Sequence, residues 1–200
     1  MTTALPEPLR TRWQPLRTGL VDLFHYDVEE FHLRDGRLLL RGNNGTGKSK
    51  VLALTLPFLL DADLSPRRVE PDGDPGKRME WNLLLGGEHP HPERLGYTWI
   101  EFGRLDPTSA RHWYAVTGQR VHHGPDAPAE GALSLVDATG TALSRDRLVE
   151  AVGGHGMVYD QAKTYRRAVD EALFGLGEQR YGALVDLLVR ACCTPSTSTS

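Results

Sequence analysis

Residues Gly42-Asn43-Asn44-Gly45-Thr46-Gly47-Lys48-Ser49 constrain this chain more than any other segment, because they match G-x-x-x-x-G-K-[ST] at every fixed position. Each residue type has a physical task in that pattern. Glycines let consecutive backbone N–H groups turn inward and line an anion-binding concavity that side chains would obstruct. A helix starting at Lys48 aims its positive N-terminus at the same anion. The Lys48 ammonium is then placed to reach β- and γ-phosphates, and the Ser49 hydroxyl to ligate a Mg²⁺ that bridges them. The flanks agree. Arg37–Leu40 reads as an apolar strand, and Lys48–Leu60 carries Val51, Leu52, Leu54, Phe58 and Leu59, enough to bury most of a helix. Pro57 should kink or shorten that helix. The predicted order is strand, glycine loop, helix, and the predicted ligand is ATP with Mg²⁺, held by the Gly42–Gly47 backbone, Lys48 and Ser49.

Elsewhere the patterning predicts a mixed α/β chain. Thr18–Tyr26 reads as a first strand, and Glu30–Leu33 with Arg37–Leu40 as a hairpin across the turn-forming Asp35-Gly36. Tyr97–Leu105 and His112–Val121 are rich in aromatic and β-branched residues and read as strands. Ala132–Val136 and Thr141–Leu143 are placed to pair across Ala138-Thr139-Gly140. Helices are predicted over Arg145–Val152, Ala162–Phe174 and Gln179–Ala191, the last with Val185 and Leu188 central on its apolar face. Ser65–Gly76 and His122–Gly131, heavy in Pro and Gly, read as surface loops. Residues 1–12 read as a flexible N-terminus. CCTPSTSTS at 192–200 reads as a low-complexity tail, either a frayed end or the mark of a truncation or frame break.

Composition narrows the partners. With 40% hydrophobic and 24% charged residues in 200, the chain can bury a sizeable core. A formal net charge of -3 excludes a generally basic, histone-like binder of nucleic acid, but not a local basic patch. The longest apolar stretch, Val51–Leu60, is too short to span a bilayer, and Met1–Arg12 has no secretory apolar region. The only cysteines, Cys192 and Cys193, are adjacent, which excludes a disulfide framework and points to a reducing, cytoplasmic compartment.

Other motifs carry less. His89, His91, His122 and His123, taken with Cys192 and Cys193, match no zinc spacing and read as surface histidines. Trp99 and Trp113 lie in predicted strands and read as core, although with Trp81 they offer stacking surfaces. No Asn-Lys-x-Asp for guanine occurs, and Asp137-Ala-Thr-Gly140 reads as a hairpin turn.

With the loop and its flanks in place, the chain resembles the N-terminal head segment of SMC-like ATPases. Asn44 before Gly45 looks like the GxNGxGKS form of that family. WQPLRTGLVDLFHY (Trp13–Tyr26) and YGALVDLLVR (Tyr181–Arg190) look like the MukB-type condensin subunit and the large ATPase subunits of Wadjet-like plasmid-defence systems. The resemblance implies an α/β P-loop NTPase fold of the ABC/SMC-head type, here only its N-terminal lobe, over 13–191. The implied partners are a C-terminal half-head and coiled coil, a second head on dimerisation, and DNA, with no membrane. Arg67 and Arg68, nineteen and twenty residues on from Lys48, fall where the family keeps an arginine near nucleotide and DNA. Gln161 falls where it keeps a Q-loop glutamine that helps hold Mg²⁺ and the attacking water. A solvated charge pair and a plain polar residue in a first helical turn are the competing readings.

Phosphoryl transfer also needs a Walker B run, four apolar residues ending in Asp-Glu, and none occurs. Ile100-Glu101-Phe102 has a lone strand carboxylate, and Leu84-Leu85-Gly86-Gly87-Glu88 lacks the serine of an ABC signature and reads as a Gly-Gly turn. In the family both motifs sit in the C-terminal half-head, so this chain is expected to bind ATP without efficient hydrolysis. Two further readings stay open: a small stand-alone P-loop kinase, with Arg166-Arg167 or Arg67-Arg68 clamping phosphates, and a non-catalytic nucleotide-binding interaction module.

Overall fold

The computed structural model describes residues 6–43, 45–70, 74, 79–90, 94–107, 109–117, 121–123, 135–153 and 156–193. Its sheet contains β1 (Gln14–Leu23), β2 (Tyr26–His32), β3 (Tyr97–Leu105), β4 (Ala110–Thr117), β5 (Val121–His123) and β6 (Gly156–Val158). The spatial order is β2-β1-β3-β4-β5-β6, and every neighbouring pair is antiparallel. Between β2 and β3 lie α1 (Lys48–Leu54), α2 (Leu56–Asp61), α3 (Pro66–Val69) and α4 (Met79–Leu84), the last running into a 3₁₀ turn at Leu85–Gly87. The chain after β5 adds α5 (Arg145–Val152), α6 (Ala162–Leu173) and α7 (Glu178–Cys193).

Strand alternation divides the sheet into two chemically different faces. Thr18 and Leu20 of β1 share a face with Thr98 and Ile100 of β3, because Thr18 pairs with Ile100 and Leu20 with Thr98. Ile100, Phe102 and Trp113 pack there with Leu59 and Leu60 of α2, Tyr165 and Val169 of α6, and Tyr181, Val185 and Val189 of α7. Leu20 packs with Val51 and Leu54 of α1 and Phe58 of α2. Two tyrosines lock the layers: Tyr165 donates to the Leu59 carbonyl (2.5 Å) and Tyr181 to the Leu60 carbonyl (2.7 Å). They satisfy carbonyls that the end of α2 leaves without helical partners.

The opposite face is apolar at one end only. Val21 and Tyr97 meet Leu135, Leu143, Leu148 and Val152, so α5 covers that end. Toward the other end Arg17, Glu101 and His112 are buried in the sheet itself. Glu101 pairs with Arg17, and His112 Nδ1 donates to Glu101 Oε1 (2.6 Å). The strand carboxylate that looks solitary in sequence is thus paired with Arg17 of β1 and hydrogen-bonded to His112 of β4.

Several expectations hold closely. β3 and α5 have the predicted bounds, and Ser144 caps α5 by accepting from the Arg147 N–H. Val136 bridges Ala142 across the Asp137–Gly140 turn, while residues 132–134 lie outside the described residues. Others need correction. The first strand begins at Gln14 and ends at Leu23, with Phe24-His25 forming the turn and Tyr26 opening β2. Asp35-Gly36 does turn the chain, but only a single Arg34–Arg37 bridge follows, and Leu38–Leu40 stays outside the sheet. No strand of the sheet therefore leads into Gly42. The predicted helix from Lys48 breaks at Thr55, two residues before Pro57, and Pro57 opens α2 instead of kinking α1. Proline lacks the N–H and clashes with the carbonyl four residues back, so the helix yields ahead of the ring. The Ser65–Gly76 stretch contains α3, and its residues 71–73 and 75–76 lie outside the described residues. Residues 8–10 are anchored: Pro8 is buried and the Arg10 carbonyl accepts from Leu105 N–H (2.7 Å). The fold is mixed α/β around an antiparallel sheet. No helix among the described residues is long and apolar enough to cross a membrane.

Candidate functional site

The glycine loop connects Leu38–Leu40, which belongs to no helix or strand, to α1, and Asn44 lies outside the described residues. Gly45 (φ 85°) and Gly47 (φ 80°) hold left-handed conformations that side chains adopt only at a cost. Space adds a second reason at Gly47, where a Cβ would come within 3.0 Å of both the Phe24 ring and the Tyr26 hydroxyl. At Gly42 a Cβ would lie 2.8 Å from Thr46 Oγ1. Thr46 Oγ1 donates to the Asn43 carbonyl (2.9 Å) and closes the turn.

Lys48 folds back over this loop. Its ammonium donates to the Gly42 carbonyl at 2.8 Å and the Asn43 carbonyl at 2.6 Å. Both are backbone acceptors that an incoming polyanion could replace. Ser49, one position on, is exposed. The residues present fit a phosphate chain with Mg²⁺: a half-buried lysine whose ammonium is held by backbone carbonyls, an accessible hydroxyl and two left-handed glycines in the turn.

The support beneath the loop is not apparent in the sequence. Lys50 is 8% exposed; its ammonium pairs with buried Glu70 and lies over the rings of Trp81 (5.0 Å) and Phe24 (5.9 Å). Tyr26 donates its hydroxyl to the Thr46 carbonyl at 3.2 Å. Burial, reinforced by Glu29, holds that phenol above its ordinary pKa, so it remains a donor. The β1–β2 turn thus buttresses the glycine loop. Periodicity marks neither Lys50 nor Tyr26 as a support, because both act across elements far apart in sequence.

Arg68 and Gln161 are placed elsewhere. Arg68 meets Asp61 (3.0 Å), Asp63 (3.7 Å) and Asp186 (2.6 Å), tying α2 and α3 to α7. Arg166 reaches Asp61 from α6 at 3.0 Å. Burial pushes the Asp61 carboxyl up, against the pull of Arg68 and Arg166. The Arg67 side chain lies outside the described residues. Gln161 is the exposed N-cap residue of α6, with no side-chain capping bond, and faces a groove of about 580 Å³ shared with Lys163, Glu178 and Gly182. No described residue of the glycine loop lines that groove. Asp170-Glu171, an Asp-Glu pair without an apolar run before it, lies in α6. The Asp170 carboxylate accepts from Leu176 N–H (2.9 Å) and Gly177 N–H (2.7 Å) and shapes the α6–α7 turn.

Among the remaining candidates, Trp113 is core, as expected, and Trp99 lies over the Arg17 guanidinium at 5.3 Å. His91 and the side chains of His122, His123, Cys192 and Cys193 lie outside the described residues. Among the described residues no group of three or more His, Cys, Asp or Glu is arranged to hold a metal ion. Comparison with known proteins gave no match to a family model, a curated protein or a solved structure.

Proposed function

We propose that the chain is a nucleotide-binding half-domain: the N-terminal lobe of an ABC-type P-loop ATPase head of the SMC-like kind, acting on DNA in chromosome organisation, repair or plasmid defence. The observation that carries this reading is the glycine loop, whose left-handed glycines fold Lys48 over the Gly42 and Asn43 carbonyls. With ATP present, the Lys48 ammonium would exchange those carbonyls for phosphate oxygens, and the Ser49 hydroxyl would contribute an oxygen to Mg²⁺. A cytoplasmic placement, where ATP is abundant, belongs to the same proposal.

Two observations support the larger assembly. Leu38–Leu40 is apolar and outside every helix and strand, and among the described residues its backbone makes no hydrogen bond. Leu39 is 74% exposed. An unpaired segment of this kind suits pairing with a strand from a complementary lobe, which in this proposal is the C-terminal half-head. Secondly, the exposed Arg10, Arg12 and Arg37 surround Asp35, whose pKa is lowered first by its hydrogen bond to Arg10. Arg34 bridges Arg37 across the same turn. This local positive patch, in a chain of net charge -3, supports a phosphodiester backbone as partner.

Calorimetry with ATP and Mg²⁺ tests the nucleotide reading. Lys48→Ala should weaken binding about 10- to 100-fold, the loss of a charge-assisted hydrogen bond of about 1.5–3 kcal/mol. Equal affinity in variant and parent would refute the assignment.

A further inference from the structure

The tip of the β1–β2 hairpin is held by more contacts than a two-residue turn needs. Asp22 (φ 48°) and Phe24 (φ 55°) are both left-handed without being glycine. Such conformations persist only where the surroundings impose them. Here the surroundings are identifiable. The Phe24 N–H donates to the Asn82 carbonyl of α4 at 2.8 Å. Arg94, mostly buried, donates from one guanidinium nitrogen to the Phe24 carbonyl (2.7 Å) and the Leu83 carbonyl (3.4 Å), and from another to the Tyr26 carbonyl (3.4 Å). Asp22 lies 3.6 Å from the same guanidinium. A lysine could not make this set, because it lacks the planar fork of donors.

What the clamp presents is the Tyr26 hydroxyl, bonded to the Thr46 carbonyl (3.2 Å), and the Phe24 ring beside Gly47. The described chain contains no cis peptide. In a trans peptide the C=O and the following N–H point in opposite directions. Holding the Thr46 carbonyl toward Tyr26 therefore directs the Gly47 N–H away from it. A loop that binds phosphate through its N–H groups gains from having that orientation set in advance.

We propose that Tyr26 is a positioning residue for the phosphate loop, fixing the Thr46–Gly47 peptide through one hydrogen bond, and that Arg94 holds the hairpin tip that carries it. The inference rests on the nucleotide reading above and adds a determinant of affinity outside the G-x-x-x-x-G-K-[ST] motif. Neither residue touches the nucleotide; both act through the loop.

Tyr26→Phe removes only the hydroxyl, so the ligand-free melting temperature should barely change. Two readouts then matter, both on the full chain. Amide hydrogen exchange at Gly47, followed by NMR without nucleotide, should accelerate about 5-fold, while Gly140 in the distant Asp137–Gly140 turn stays as in the parent. ATP affinity should fall about 5-fold, the loss expected for one neutral hydrogen bond. Arg94→Lys should move both readouts in the same direction. Unchanged Gly47 exchange in a parent that binds ATP overturns the brace alone. Faster exchange with parental ATP affinity also overturns it, since the bond would then not serve binding. A parent without ATP affinity instead overturns the nucleotide reading, and the positioning role falls with it.

Discussion

At the scale of single residues, the buried phenols of this chain couple its stability to alkaline pH. Tyr97 donates its hydroxyl to the Leu143 carbonyl at 2.6 Å, and burial pushes its pKa up to about 12. An unfolded tyrosine titrates near ~10. The folded state is favoured fully while both forms are protonated. That contribution disappears as pH rises from about 10 to about 12, because only the unfolded chain gains by ionising. Tyr165 and Tyr181, on the carbonyls of Leu59 and Leu60, are displaced in the same direction by burial. Urea midpoints should therefore fall between these pH values. Tyr97→Phe should cost about 1 kcal/mol near neutrality, the value of one hydrogen bond, and make the alkaline fall shallower. A variant with the parental alkaline slope would show that Tyr97 does not contribute.

At the scale of elements, the joint between α2, α3, α6 and α7 is ionic as well as apolar. Asp61 is 1% exposed and lies between Arg68 and Arg166, while Arg68 continues to Asp186 on α7. Removing one partner of a buried charge leaves that charge undercompensated. Arg68→Ala should lose about 1–3 kcal/mol of stability, softened because Arg166 remains. Its ATP affinity should match the parent's, since its contacts are carboxylates of the helical joint. A large loss of ATP affinity at unchanged stability would return Arg68 to the nucleotide role that the family resemblance implies. The break at Thr55 belongs to this scale too. It separates α1, which follows the glycine loop, from α2, whose last carbonyls Tyr165 and Tyr181 hold.

For the whole molecule, the exposed apolar surface supports the proposal of a missing lobe. Leu187 on α7 is 65% exposed, while Val185 and Val189 on the same helix are buried against the sheet. Leu39, in the segment before the glycine loop, is likewise exposed, and apolar side chains left in water favour association where they cluster. The chain should bind a hydrophobic dye and self-associate at micromolar concentration; a strictly monomeric, dye-negative protein would oppose the half-domain reading. Catalysis divides the alternatives further. Orienting water and stabilising developing charge need groups beyond a phosphate cradle. No apolar run ending in Asp-Glu supplies them here. Phosphate release by purified chain should stay far below ~1 s⁻¹. Steady turnover at that rate, lost in Lys48→Ala, would favour the stand-alone kinase-like reading.

The sequence by itself determined the local features whose physics is local. Glycine spacing marked Gly42–Ser49, aromatic and β-branched content marked β3, and the helix expected over Arg145–Val152 is α5. Tertiary structure decided whatever depends on residues far apart in the chain. It left Leu38–Leu40 out of the sheet although β2 is an edge strand, and kept only the Arg34–Arg37 bridge of the expected hairpin, a choice that local pattern does not encode. It joined Glu101 to Arg17 and His112, and Arg68 to Asp61, because charges that leave water must find a counter-charge wherever packing brings one. It also set Tyr26 and Arg94 behind the glycine loop. The bond from Tyr26 to Thr46 spans 20 residues of sequence and that from Arg94 to Phe24 spans 70, and no local pattern encodes a hydrogen bond over that separation.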